Sequence, residues 1–254
     1  MTNAEVLVDI TNRNCYNYKN KYCKLWEVYM CDTALEMAKR LLVDSIWKSA
    51  NLEGLGTTFP KIEAILANAP TTTKTEEVLF VINMKRAWQF LLDNLDYNNC
   101  LSLLREYNKI VGELLFNYAG EIRTIPVQIG GTSWEPEMPH TEIIIDTLSE
   151  IEQYDNVELK ALKYFCYVVR TQMFIDGNKR VAQLIANKVL IENNIGIFQI
   201  PIEKLEEFKV LLIHFYESGN DVEIINFMKE YCVKHIQSDV DNVKEKNLEN
   251  MQLF

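Results

Sequence analysis

The strongest constraint on this chain is a helix-length run over residues 178–193 that is apolar around most of its circumference. Val181, Leu184, Ile185, Val189 and Leu190 point to several sides of the helix at once. A surface helix carries one apolar stripe, whereas a helix apolar on most sides must be enclosed by other elements. The run predicts a central buried helix, and the rest of the chain must supply its shell. With only 9 Gly and 6 Pro in 254 residues, long stretches are free of helix breakers. The expected class is mainly α.

The shell is legible as a series of periodic segments. A helix capped by Asp32 or Thr33 places Leu35, Ala38, Leu42, Ile46 and Ala50 at helical spacing and ends at Gly54 and Gly56. Further helices are predicted over 61–69 (stopped by Pro70), 76–95, 101–116, 141–154, 203–217 and 222–235. Another, over 159–170, presents Leu162, Phe165, Cys166 and Val169 to the core. Two stretches break the rhythm. Residues 121–129 are richer in β-branched side chains, and Gly130-Gly131 followed by Thr132, Ser133 and Trp134 predicts a small β-hairpin closed by Pro136 and Pro139. A short strand is predicted over 197–200, ending at Pro201. Residues 1–31 read as an arm docking through Trp26, Tyr29 and Met30, and the chain is expected to fray after 237. The expected organisation is an N-terminal arm and helix over 1–58, a core over 59–236 and a tail over 237–254.

The formal net charge of −10 argues against non-specific nucleic-acid binding, which needs a concentrated basic surface. It leaves room for a small anionic ligand. The six cysteines at 15, 23, 31, 100, 166 and 232 contain no C-x-x-C pair. Together with the lack of a secretory apolar region, they are expected to be free thiols of a cytoplasmic protein. No apolar run approaches the roughly 18 residues of a membrane span.

Between the two core helices lies Phe174-Ile175-Asp176-Gly177-Asn178-Lys179-Arg180. A glycine just ahead of a helix lets the backbone turn tightly and leaves the first helical amides aimed outward, where they attract anions. Lys179 and Arg180 add positive charge, and a guanidinium can grip a phosphate with two donors. Asp176 is an oxygen ligand suited to the Mg²⁺ that accompanies a polyphosphate. Arg180, Gln183 and Asn187 form a polar stripe on this apolar helix, as if aimed at a site. The same residues also suit an ordinary interhelical turn with an N-cap and two solvated cations. The loop alone leaves both readings open.

Phe-x-Asp-Gly-Asn-Lys-Arg resembles the core of the Fic/Doc signature, H-x-F-x-[D/E]-[A/G]-N-[G/K]-R. The resemblance implies a Fic/Doc-type helical domain with a β-hairpin flap, ATP and Mg²⁺ as cofactors, and transfer of AMP or phosphate to a hydroxyl of a target protein. It implies that Asp176 binds the metal, that Gly177, Asn178, Lys179, Arg180 and Gln183 surround the phosphates, and that Phe174 anchors the loop. Where the family carries its histidine base, this chain has Gln172, an amide with no proton-accepting pKa near neutrality. Of the three histidines, His214 and His235 fall on terminal elements, which leaves His140 as the one candidate substitute. Lys179 resembles the Doc-like branch, and Gln183 stands where many members have a second arginine.

Ser49-Ala50-Asn51-Leu52-Glu53-Gly54 resembles the family's inhibitory motif, which implies that Glu53 reaches into the nucleotide site, pairing with Arg180 or Lys179 because the usual arginine is Gln183. A helix simply ending at Gly54 is the alternative. Thr132, Ser133 and Trp134 lie on the expected flap, where a target segment would dock by strand addition. Three readings follow: a nucleotide-dependent transferase with weakened or altered catalysis, a nucleotide-binding pseudoenzyme acting through protein contacts, or a helical interaction module. Assembly into a homo-oligomer is compatible with all three.

Overall fold

The computed structural model describes residues 33–70 and 72–236. The N-terminal arm and the C-terminal tail expected from the sequence lie outside these residues. Ten α-helices are present in the described part: α1 (Ala34–Arg40), α2 (Leu42–Leu52), α3 (Phe59–Leu66), α4 (Thr75–Asp93), α5 (Leu101–Gly112), α6 (Thr141–Glu152), α7 (Val157–Thr171), α8 (Asn178–Glu192), α9 (Leu205–Ser218) and α10 (Val222–Phe227). They are joined by two short strands, β1 (Gly196–Phe198) and β2 (Val233–His235). The fold is mainly α, as the periodicity predicts.

Helix α8 is the axis. Thirteen of its fifteen residues, from Asn178 to Ile191, are buried with the exception of Lys179. It packs along α7 and is also met by α1, α4, α5 and β1. Phe165 on α7 meets Phe198 of β1 and Phe208 of α9, with ring centroids 5.0 and 6.0 Å apart. Burying an aromatic ring of this kind contributes roughly 1.5–3 kcal/mol, so this cluster fixes the α7–α8 unit against the C-terminal elements.

Local chemistry explains the boundaries. Thr33 caps α1 by accepting from the Glu36 amide at 3.2 Å. The first predicted helix is divided at Leu41, giving α1 and α2. Asn156 caps α7 through the Leu159 amide at 2.8 Å. Helix α5 stops at Gly112 rather than continuing to 116.

Two expectations are overturned. The segment expected as a terminal helix over 222–235 is helical only to Phe227, passes through a π turn at Met228–Cys232 and ends as β2. β2 pairs antiparallel with β1, Gly196 opposite His235 and Phe198 opposite Val233. The backbone of β1 needs a ladder partner on its open edge, and this segment supplies it. The approach is close: a Cβ on Gly196 would lie 2.0 Å from the carbonyl oxygen of Lys234.

The predicted β-hairpin over 121–134 has a turn at Gly130-Gly131 but no strands. Pro136 lacks a ladder donor, and a single side chain replaces the ladder. The buried Arg123 donates from Nε to the Gln172 carbonyl at 2.6 Å, from Nη1 to the Ile125 carbonyl at 2.9 Å, and from Nη2 to the carbonyls of Pro136 and Glu137. Its backbone amide donates to the Met173 carbonyl at 3.0 Å. One guanidinium therefore ties both arms of the segment to the loop that precedes α8.

Candidate functional site

The α7–α8 loop is held by Asn178. Its Oδ1 accepts from the Phe174 amide at 3.0 Å, and its Nδ2 donates to the Phe174 carbonyl at 2.8 Å and to Gln172 Oε1 at 3.0 Å. Phe174 is fully buried beneath the loop. Gly177 has φ +82, and a Cβ there would stand 2.9 Å from Asn108 Nδ2 and 3.3 Å from Val111. Asn108 uses that amide to donate to the Asp176 carbonyl at 2.7 Å. Glycine is needed here both for its conformation and for its lack of bulk.

Gln172 ends α7 in the left-handed region, φ +47. Its Nε2 donates to the Val169 carbonyl at 2.6 Å, while its Oε1 is taken by Asn178. Burial first, and the Glu53 carboxylate second, push the Tyr216 phenol far up. Tyr216 therefore stays a protonated phenol and is not a base near neutrality. Sequence reading missed both Tyr216 and Arg123: Arg123 belongs to no motif, and Tyr216 reads only as one of the core-spaced residues of α9.

The cations of the first turn of α8 converge on one carboxylate. Glu53, the C-cap of α2, places Oε2 2.9 Å from Lys179 Nζ and Oε1 3.6 Å from Arg180 Nε. Lys179 also approaches the Leu52 carbonyl at 3.5 Å, where a cation favours the helix C-terminus. Arg180 is buried between Phe80 and Phe116, its guanidinium carbon 5.6 and 5.5 Å from their ring centroids. It donates to the Val111 carbonyl at 3.1 Å and to Asp176 Oδ1 at 2.9 Å. Glu53 Oε1 and Arg180 Nε are both buried, and neither has a hydrogen-bond partner. Opposite charges thus face each other across a gap too long for a hydrogen bond.

The predicted stripe on α8 serves three separate ends. Arg180 faces Glu53, but Gln183 donates to Ser49 Oγ at 3.2 Å, tying α2 to α8. Asn187 binds the backbone of Phe198 in both directions, at 2.9 and 2.8 Å. It is the clasp of β1, not part of the loop. Thr132 donates to Glu217 at 2.9 Å, Ser133 is exposed, and Trp134 stacks on Tyr216 with centroids 5.8 Å apart and Arg170 above its ring. His140 is exposed at the N-cap of α6, His214 lies 3.8 Å from Glu223, and His235 pairs with Glu158 at 2.7 Å.

Asp176 is the metal-ligand candidate. Its side chain is 57% exposed, with Oδ1 engaged by Arg180 and the Gly177 amide. No group of three or more His, Cys, Asp or Glu residues suited to a metal occurs among the described residues. These residues fit Mg²⁺ only as the escort of a polyphosphate, which itself supplies most ligands. Cys100, Cys166 and Cys232 are free, and burial pushes the Cys166 and Cys232 thiols up. Among the described residues no helix is long and apolar enough to cross a membrane.

Fold and site together define a helical domain whose buried central helix begins at a glycine-turned, cation-bearing loop facing the carboxylate of a second helix. Residues 99–190 match the model of the Fic/DOC family, so this part of the chain is similar to Fic/DOC domains. Solved structures of similar fold include Fic-1 (residues 134–508) from C. elegans, at 22% identity and TM-score 0.67 over 85% of this chain and 68% of that one. A Fic domain containing signaling protein from Bacteroides thetaiotaomicron matches at 19% identity and TM-score 0.62, covering 75% and 79%. A Fic family protein from Desulfovibrio desulfuricans matches at 14% and 0.62, covering 82% and 65%. No curated protein matches the chain.

Proposed function

We propose that this protein binds the phosphates of ATP with Mg²⁺ at the first turn of α8 and uses the site to join a hydroxyl of a target protein either to the α phosphate, transferring AMP and releasing pyrophosphate, or to the γ phosphate, transferring phosphate and releasing ADP. The observation that carries this reading is the unmatched pair of Glu53 Oε1 and Arg180 Nε, buried 3.6 Å apart without a hydrogen bond. Leaving such groups unbonded costs about 1–3 kcal/mol each. A phosphate oxygen in place of the carboxylate would accept from Arg180 Nε and from Lys179, and the free amides at the start of α8 favour the same charge. Asp176 would hold Mg²⁺ against the phosphates, which neutralises their charge. Glu53 then acts as an inhibitory surrogate anion that nucleotide must displace.

Gln172 supports slow turnover. Its amide is engaged by Val169 and Asn178, and it offers no group to take the proton of an attacking hydroxyl. That same observation favours the second reading, a nucleotide-binding pseudoenzyme acting through protein contacts. The test is labelling of proteins in a lysate by the full chain carrying Glu53→Gly, with ATP labelled at the α or the γ phosphate. Label on a protein supports transfer and identifies the group moved. ATP binding without label, with labelling restored by Gln172→His, favours the pseudoenzyme. Histidine tolerates the left-handed backbone at this position better than most residues. Absence of ATP binding in every variant contradicts both readings.

A further inference from the structure

A groove of about 560 Å³ opens beside this site, between the 134–140 segment, α6, α7 and the turn joining α9 to α10. Thr171, which immediately precedes Gln172, forms part of its wall. Its floor is apolar, with Ile144 and Ile151 buried and Ile143 and Met138 exposed at the lip.

The charges around it are one-sided. Glu135, Glu137 and Glu150 are exposed on the lining and form no ion pair among the described residues. The fourth acid, Asp221, is matched by Lys163 at 2.6 Å. The remaining cation, Arg170, lies over the Trp134 ring at 4.7 Å and donates to the Tyr216 carbonyl at 3.4 Å. His140 stands at the lip as the N-cap residue of α6. Three unmatched carboxylates thus rim an apolar trough beside the residue at the base position.

We propose that this groove docks a lysine- or arginine-bearing segment of the protein that is modified, and so selects hydroxyls flanked by a basic residue. This rests on the reading above for what happens to the hydroxyl, but not for the docking itself. A basic side chain matches both features at once: its aliphatic stem covers Ile143 and Met138, and its head reaches the carboxylates. The net charge of −10 draws a basic partner from a distance and repels an acidic one.

The test uses the full chain and a positional-scanning library of fluorescent peptides with a central threonine and varied flanks. The expected result is a roughly tenfold preference for Lys or Arg over Asp or Glu at one flanking position, about 1.4 kcal/mol. That preference should be lost or reversed in Glu137→Lys/Glu150→Lys, whose exposed positions leave the fold intact by circular dichroism. Equal binding of basic and acidic peptides, no binding, or a basic preference that survives the double substitution overturns the proposal. A dimer in sedimentation velocity that the double substitution dissociates would seat a second copy in the groove and also overturn it. ATP binding measured on the same proteins separates the two readings. If basic peptides bind but ATP does not, the nucleotide reading fails and the groove stands. If ATP binds but the library shows no basic preference, the groove alone fails.

Discussion

Glu53 Oε2 lies 2.9 Å from Lys179 Nζ, a contact between the end of α2 and the first turn of α8. It sits beside the Ser49–Gln183 hydrogen bond one turn away, so α2 is clasped to the central helix at two levels. With Gln183 in place of an arginine, the charge that holds Glu53 comes from Lys179. Lys179→Met should therefore loosen α2, lowering stability by about 1 kcal/mol, the loss expected for a partly exposed ion pair. Urea denaturation measures it. An unchanged midpoint would mean that the pair contributes nothing.

Arg123 is the second anchor. It bridges carbonyls at Ile125, Pro136 and Glu137 to that of Gln172, a span that a flexible ammonium cannot reproduce. Arg123→Lys should free the segment between 121 and 139, seen as faster limited proteolysis there, with a stability loss of roughly 1–3 kcal/mol from the unbonded carbonyls. Cleavage at the wild-type rate would show that other contacts hold the segment.

Asn187 tests the reassignment of the polar stripe. Removing its side chain leaves the amide and carbonyl of Phe198 without their partners. Asn187→Ala should cost about 2–4 kcal/mol and leave nucleotide affinity of the folded protein unchanged. Thermal melting and calorimetry measure the two effects. A selective loss of nucleotide binding at unchanged stability would return Asn187 to the site.

These cases show where sequence reading succeeds. The apolar circumference of α8 and the turn chemistry of Gly177 are local properties, and both appear in the structure where periodicity and composition put them. The motif resemblance implies that Glu53 pairs with Arg180 or Lys179, and in the structure it lies 2.9 Å from Lys179 and 3.6 Å from Arg180. What was illegible depends on distant partners. Val233–His235 extends because β1 needs a ladder, a requirement invisible within the segment itself. The hairpin failed because one arginine, unremarkable in sequence, satisfies carbonyls that strands would otherwise pair. Asn187 looked like a site residue because a buried polar side chain reveals that it has a partner but not which one.

The central claim is that Glu53 occupies an anion site built for nucleotide phosphate. Isothermal titration of wild type and Glu53→Gly with ATP and Mg²⁺ tests it directly, with Arg180→Ala in the Glu53→Gly background as control. The account predicts that Glu53→Gly binds at least about tenfold more tightly than wild type, a gain of roughly 1.4 kcal/mol or more, and that Arg180→Ala abolishes the gain. Equal affinity in wild type and Glu53→Gly, or no binding by either, would contradict it.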